Sequence, residues 1–207
     1  MTLPKQEAFT DSASTQLPTH DANWKRARTT AFTNAIISGS TNSLQGNDTI
    51  TQIYIWDGDT FDNDQYAQCK DVAVGDYHGC LVRGANISDV GYMCEATNGD
   101  RYIEKTPGTF TVLYNDAGAL AVNDIQYISA VGTTITYKIN GSTVQAVTDN
   151  SYTSGKAGLT ISSTSSTNRI DDWEGGNVTA AANLPPGLGP AMVMEPATQS
   201  AIAAMMR

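Results

Sequence analysis

Residues 133–176 read TTITYKINGSTVQAVTDNSYTSGKAGLTISSTSSTNRIDDWEGG. In the opening run Ile135, Tyr137 and Ile139 fall on one side of an extended chain and Thr134, Thr136 and Lys138 on the other. A period of two with one apolar face is the pattern of a half-buried antiparallel strand. Asn140-Gly141 then marks a two-residue hairpin, because both central positions of a type I′ turn need positive φ. A second alternating strand follows, then a polar turn region. The stretch closes on Gly-Leu-Thr-Ile-Ser and Ile-Asp-Asp-Trp-Glu. Tyr137, Ile139, Leu159, Ile161 and Trp173 are the core residues this pattern predicts.

Upstream, the same signals recur at short intervals. Ala31–Ile37, Ile50–Trp56, Tyr66–Val74, Gly79–Arg83, Tyr92–Thr97 and Asp124–Val131 read as strands. Arg101–Lys105 and Phe110–Asn115 read as a hairpin about Pro107-Gly108. Ile50–Trp56 carries apolar groups on both sides, as a strand covered on both faces does. Phe9, Leu17 and Trp24 anchor an otherwise polar opening segment. The gaps are too short for helical crossovers, which argues against a parallel α/β arrangement. The expectation is an all-β, antiparallel two-sheet jelly-roll sandwich over residues 9–178. Residues 1–8 read as an N-terminal arm, and residues 179–207 as a linker and C-terminal assembly arm, extended or briefly helical.

The chain has 207 residues, 40% of them hydrophobic and 16% charged, with a net charge of −9. Such an acidic surface repels phosphate backbones, so nucleic acid is not an expected partner. The start, MTLPKQEAFTDSAST, has no apolar signal region, and no run reaches the length of a membrane span. Cys69, Cys80 and Cys94 form an odd set without a CxxC pair, which reads as free buried thiols.

Several of these motifs, in order, carry a resemblance. Phe9-Thr-Asp with Trp24, Asn63-Asp-Gln-Tyr-Ala-Gln68, Cys80-Leu-Val-Arg83 and Gly91-Tyr-Met93 come first. Tyr137-Lys-Ile-Asn-Gly141, Thr148-Asp149, Ser154-Gly-Lys-Ala-Gly158 and Asp171-Asp-Trp-Glu-Gly175 follow. The chain resembles the concanavalin A-like lectin/glucanase superfamily, in its bacterial and phage structural-protein branch. The resemblance implies a jelly roll, with members that bind glycans, hydrolyse them, or serve in phage particles. Its hydrolases carry a Glu-x-Asp-x-x-Glu strand. This chain has none, so the resemblance implies no enzyme and no catalytic residue.

Among candidate sites, Asp57, Asp59, Asp62 and Asp64 are the densest acidic cluster, yet they lack the glycine and closing glutamate of a calcium loop. Asp172 and Glu174 fall on the same side of a strand, a spacing compatible with paired-carboxylate chemistry, but the resemblance makes that strand structural. His20 and His78 have no acid–base or metal pattern near them in sequence. Tyr66, Tyr77, Tyr92, Tyr102, Tyr114, Tyr127 and Tyr152 supply aromatic rings for stacking on sugars or for packing. No cofactor is expected.

Beyond the prolines and glycines of 185–190, Met192, Val193, Met194, Ile202, Met205 and Met206 form an apolar set suited to partner binding. With the resemblance, this set leads to a non-enzymatic virion structural protein. It would be a phage capsid-decorating or head- or tail-associated subunit, assembled in the host cytoplasm against capsid or tail proteins or against further copies of itself as a homo-oligomer. The alternative is a carbohydrate-binding module, which would take a host surface glycan. A polysaccharide-acting enzyme is the second alternative. No membrane partner is expected.

Overall fold

The structure, a computed structural model, describes residues 3–88, 90–106, 110–163 and 167–179. In chain order its elements are β1 (Lys5–Glu7), α1 (Leu17–His20), β2 (Trp24–Arg26), β3 (Ile36–Ser38), β4 (Ser43–Gln45) and β5 (Asp48–Trp56). β6 (Gln65–Ala73), β7 (His78–Gly84), β8 (Gly91–Ala96), β9 (Asp100–Thr106) and β10 (Thr111–Ala117) follow. β11 (Ile125–Val131), β12 (Thr134–Ile139), β13 (Ser142–Thr148), β14 (Lys156–Ser163) and β15 (Arg169–Asn177) complete the described chain. Two antiparallel sheets result. Sheet A runs β13-β12-β11-β6-β15-β4-β3, with β1 also on β15, and sheet B runs β10-β9-β8-β7-β14-β5-β2. This is the expected jelly-roll sandwich.

The hairpin at Asn140-Gly141 forms as its sequence dictates, with φ of 51° and 79° and Ile139 opposite Ser142. Tyr137, Leu159, Ile161 and Trp173 are fully buried between the sheets, and Ile139 packs half-buried at the margin of that core. Phe9, Leu17 and Trp24 are fully buried too. The three tryptophans meet there. Trp24 stands edge-on to Trp56 at 5.4 Å and to Trp173 at 4.7 Å, and Trp173 Nε1 donates to the Gly158 carbonyl of the opposite sheet at 2.9 Å. Cys69, Cys80 and Cys94 are free and buried, with the Cys69 and Cys80 sulfurs 3.2 Å apart across the sandwich.

Two expectations need correction. Within the expected N-terminal arm of residues 1–8, Lys5–Glu7 does not stand off, because it pairs with Gly175, Glu174 and Trp173 on sheet A. Residues 31–35 are not strand; the strand there is only Ile36–Ser38. Side chains of β5 take over the backbone groups that a ladder would use. Tyr54 accepts from the Ala35 amide at 2.9 Å, Gln52 donates to the Thr33 carbonyl, and Asp48 accepts from the Thr33 amide at 2.6 Å. With these groups satisfied, the segment has no need of a neighbouring strand. The partner-binding set Met192, Val193, Met194, Ile202, Met205 and Met206 lies outside the described residues.

Candidate functional site

Strand alternation divides sheet B into two faces. Leu159 and Ile161 of β14, Cys94 of β8 and Ile103 of β9 point into the main core. Their neighbours Thr160, Ser162, Glu95, Tyr102 and Glu104 therefore lie on the outer face. That face is not simply solvated. Ala27, Ile53, Ile55, Leu81 and Met93 form a second buried apolar cluster on it, with Phe110 packed against them. This explains why β5 reads as apolar on both sides. Beside the cluster is a recess of about 370 Å³. Its walls include Glu95, Glu104, Tyr77, Phe110 and Ser162. Thr49, Thr51 and Asp76 line it as well. The volume is at the small end of ligand pockets, which run to about 1,000 Å³.

Each wall is held from below. Glu95 lies opposite Tyr102 and Glu104 opposite Met93 in the β8–β9 ladder, so Glu95 and Glu104 are diagonal neighbours on one face. Thr160 Oγ1 donates to Glu95 Oε1 at 2.5 Å. The Tyr77 carbonyl accepts from Ser162 Oγ and Asn168 Nδ2, both at 3.0 Å, which fixes the tyrosine at the rim. Its ring leans on Tyr102 at 5.6 Å, and Tyr77 remains 37% exposed. Arg28 lies over the Phe110 ring at 5.1 Å and donates to the Thr51 carbonyl at 2.9 Å.

The electrostatics of the recess are unusual. Glu95 is 1% exposed, and burial, reinforced by the charge of Glu104, pushes its carboxyl up to about 7. Glu104 is 6% exposed and is pushed up by burial alone. Glu104 makes no hydrogen bond to any described residue. Its oxygens are not sealed in the core but open onto the recess, and carboxyls pushed up by burial in a cleft concentrate at functional sites. Tyr77 is pushed up to about 12 by its bond to Tyr102 and by burial, so its hydroxyl keeps its proton. The recess thus offers carboxyl acceptors, hydroxyl groups of both kinds and an aromatic edge.

The residues singled out in the sequence are placed otherwise. Asp59 accepts from Trp56 Nε1 at 2.8 Å, Asp62 from Asn177 Nδ2 at 2.8 Å, and Asp64 from the Gly132 amide at 2.8 Å, while Asp57 lies 3.4 Å from Lys156. These four acids are spent separately on loop anchoring. Among the described residues no group of three or more His, Cys, Asp or Glu is arranged to hold a metal ion. Asp172 and Glu174 line a second recess of about 300 Å³ on the outer face of sheet A. There Glu174 accepts from Gln6 at 2.7 Å and from Tyr66 at 2.5 Å, and Asp172 lies 3.8 Å from Lys70.

Nor are most tyrosines available. Tyr66 stacks on Tyr127 at 5.5 Å, and the hydroxyl end of its ring lies close over Gly176, where a Cβ would come within 3.0 Å of it. The other face of Tyr127 lies under Lys138. Tyr92 is fully buried and donates to Asp149 at 2.6 Å; Tyr152 donates to the Thr106 carbonyl. Tyr102 and Tyr114 are half-buried. His78, without a visible partner in sequence, meets Asp71 at 3.0 Å in the fully buried core, and Gln126 Nε2 donates to the same Asp71 oxygen at 3.0 Å. His20 meets Glu7 at 3.1 Å.

No protein-family model matches the chain, and no curated protein matches it. Solved structures do. The carbohydrate binding module CBM66 from Bacillus subtilis superposes with a TM-score of 0.54 at 13% identity, over 76% of this chain and 94% of that one. A protein of unknown function with a galectin-like fold, also from Bacillus subtilis, gives 0.54 at 11% identity over 84% and 98%. The apo Crh5 transglycosylase gives 0.51 at 10% identity over 85% of each. At these identities the likeness is one of fold: a galectin-like jelly roll, as the concanavalin A-like resemblance implies.

Proposed function

We propose that this chain binds carbohydrate in the recess on the outer face of sheet B. One observation carries the reading: Glu104, buried in the wall of an open recess, has no hydrogen-bond donor among the described residues. Sugar hydroxyls are donors of the right kind for such acceptors, and Thr51 and Ser162 add neutral partners. Tyr77, exposed at the rim, supplies the apolar edge on which sugar C–H groups rest. The shared fold with a carbohydrate binding module supports the same reading. A virion role rests on residues 184–207, which lie outside the described chain, whereas the recess calls for a small, hydroxyl-rich ligand.

The test is a glycan array followed by calorimetry on the hits. A bound glycan whose affinity falls at least ~10-fold in Tyr77→Ala supports the reading. Binding that ignores Tyr77 but falls in Tyr66→Ala moves the site to sheet A. A blank array for the wild-type chain overturns carbohydrate binding. A reducing-end assay run alongside asks whether bound glycan is also cut.

A further inference from the structure

We infer that the recess selects a sugar carrying a free ammonium group, of the glucosamine type, over uronates, sulfated sugars and N-acetylated sugars. The inference rests on the carbohydrate reading and deepens it. Glu95 and Glu104 stand side by side on one face, 1% and 6% exposed, and Asp76 adds a third carboxyl to the lining. Two buried carboxyl groups together disfavour each other's ionisation, and an anionic ligand would add to that repulsion. Arg28, whose charge acts on Glu95, is engaged with the Thr51 carbonyl and the Phe110 ring. Burial alone acts on Glu104, with no cation among the described residues offsetting it.

An ammonium group answers both needs of that carboxylate: a positive charge, and three donors on one compact centre. A metal ion does not fit as well, because no group of three or more suitable side chains is arranged among the described residues. N-acetylation removes the charge and replaces three donors by one. A uronate or sulfate brings a second anion beside Glu104. The rest of the ring is served as any sugar is, by Tyr77 at the rim and by the Thr51 and Ser162 hydroxyls.

The test is calorimetry of the full chain, at physiological salt, with oligomers of glucosamine, of N-acetylglucosamine and of galacturonate, matched in length. The glucosamine oligomer should bind at least ~10-fold tighter than its acetylated form, and the galacturonate oligomer should not bind measurably. Because the chain carries a net charge of −9, non-specific attraction of a polycation needs its own control. Glu104→Gln should abolish the preference, whereas Asp172→Asn, on the opposite sheet, removes the same unit of charge and should leave it intact. Equal or tighter binding of the acetylated or galacturonate oligomer overturns the inference. So does a preference that survives Glu104→Gln, or one that falls equally in Asp172→Asn. If Glu104→Gln does not fold, the ranking of the three oligomers on the wild-type chain decides. Tyr77-dependent binding of a neutral hexose oligomer with no gain from an ammonium leaves the carbohydrate reading standing and removes this one. No binding of any sugar removes both.

Discussion

The outer faces of the two sheets carry similar residue types and treat them in opposite ways. On sheet A, Glu174 is bonded by Gln6 and Tyr66, Tyr66 is stacked on Tyr127 with its hydroxyl end close over Gly176, and Lys138 covers Tyr127. On sheet B, Glu104 is deeper than Glu174 yet has no hydrogen bond among the described residues, and Tyr77 presents itself at a rim. Carboxylates and tyrosines alone therefore do not mark a site. What separates a structural face from a binding face is whether the polar groups already have their partners.

A change in the shared core should erase the contrast. Trp173 packs on Trp24 and Trp56 and bridges the sheets through Gly158, so Trp173→Ala is expected to cost about 3–5 kcal/mol and to weaken both faces together. Urea denaturation measures it; a loss confined to one face would mean the sheets are less coupled than the packing implies.

Glu95 sharpens the contrast through pH. Its folded carboxyl titrates at about 7, above the ordinary 4.5. Below the ordinary value both states are protonated and Glu95 has no effect. As pH rises toward the folded value the unfolded chain releases its proton first, so stability falls, by about 3 kcal/mol in all. Glu104 and Asp171 are also pushed up by burial and act in the same direction, so the decisive quantity is the difference between wild type and Glu95→Gln. The glutamine should flatten the decline between pH 5 and 8. Parallel pH profiles for the two proteins would show that Glu95 ionises freely.

On sheet A the expected effects are smaller. Tyr66→Phe removes one donor from Glu174 but leaves Gln6 and solvent in place, so a loss of about 1 kcal/mol is expected, with glycan affinity unchanged. A drop in affinity there would break the division between the faces. Least perturbing is thiol labelling of the native chain. Burial holds the Cys80 thiol well above its ordinary value, so a thiol reagent should react with Cys69, Cys80 and Cys94 only on unfolding, and fast native reaction would reveal opening of the sandwich.

Much of this fold was legible in the residues. Alternation in 134–139, the Asn140-Gly141 turn and the inward Trp173 were all readable locally, since strand period and turn chemistry are short-range properties. Residues 31–35 misled because their backbone is satisfied by side chains of β5, a long-range arrangement. Lys5–Glu7 misled because three polar residues carry no strand pattern, and their pairing with β15 spans the whole domain. The site was the least legible part. Eye-catching acids at 57–64 and 171–174 proved to be anchors. Glu95 left a trace, a lone carboxylate inside the apolar run Tyr92-Met-Cys-Glu-Ala96, but Glu104 sits in the mixed strand Arg101-Tyr-Ile-Glu-Lys105, and its place in the recess beside Phe110 has no local sign.

The pairing of β1 with β15 also sets an order in time. Lys5 meets Gly175 in the finished sheet, and β6 finds β15 on one side only after the same late segment exists. At roughly 5–20 residues per second, a ribosome takes on the order of ten seconds or more to make the intervening chain. Throughout that interval the strands that will become the centre of sheet A present open edges, and β5 and β7 wait in the same way for β14 to come between them. The outward-facing Gln68 and Lys70 of β6 put polar side chains beside those open edges while the last strands are awaited.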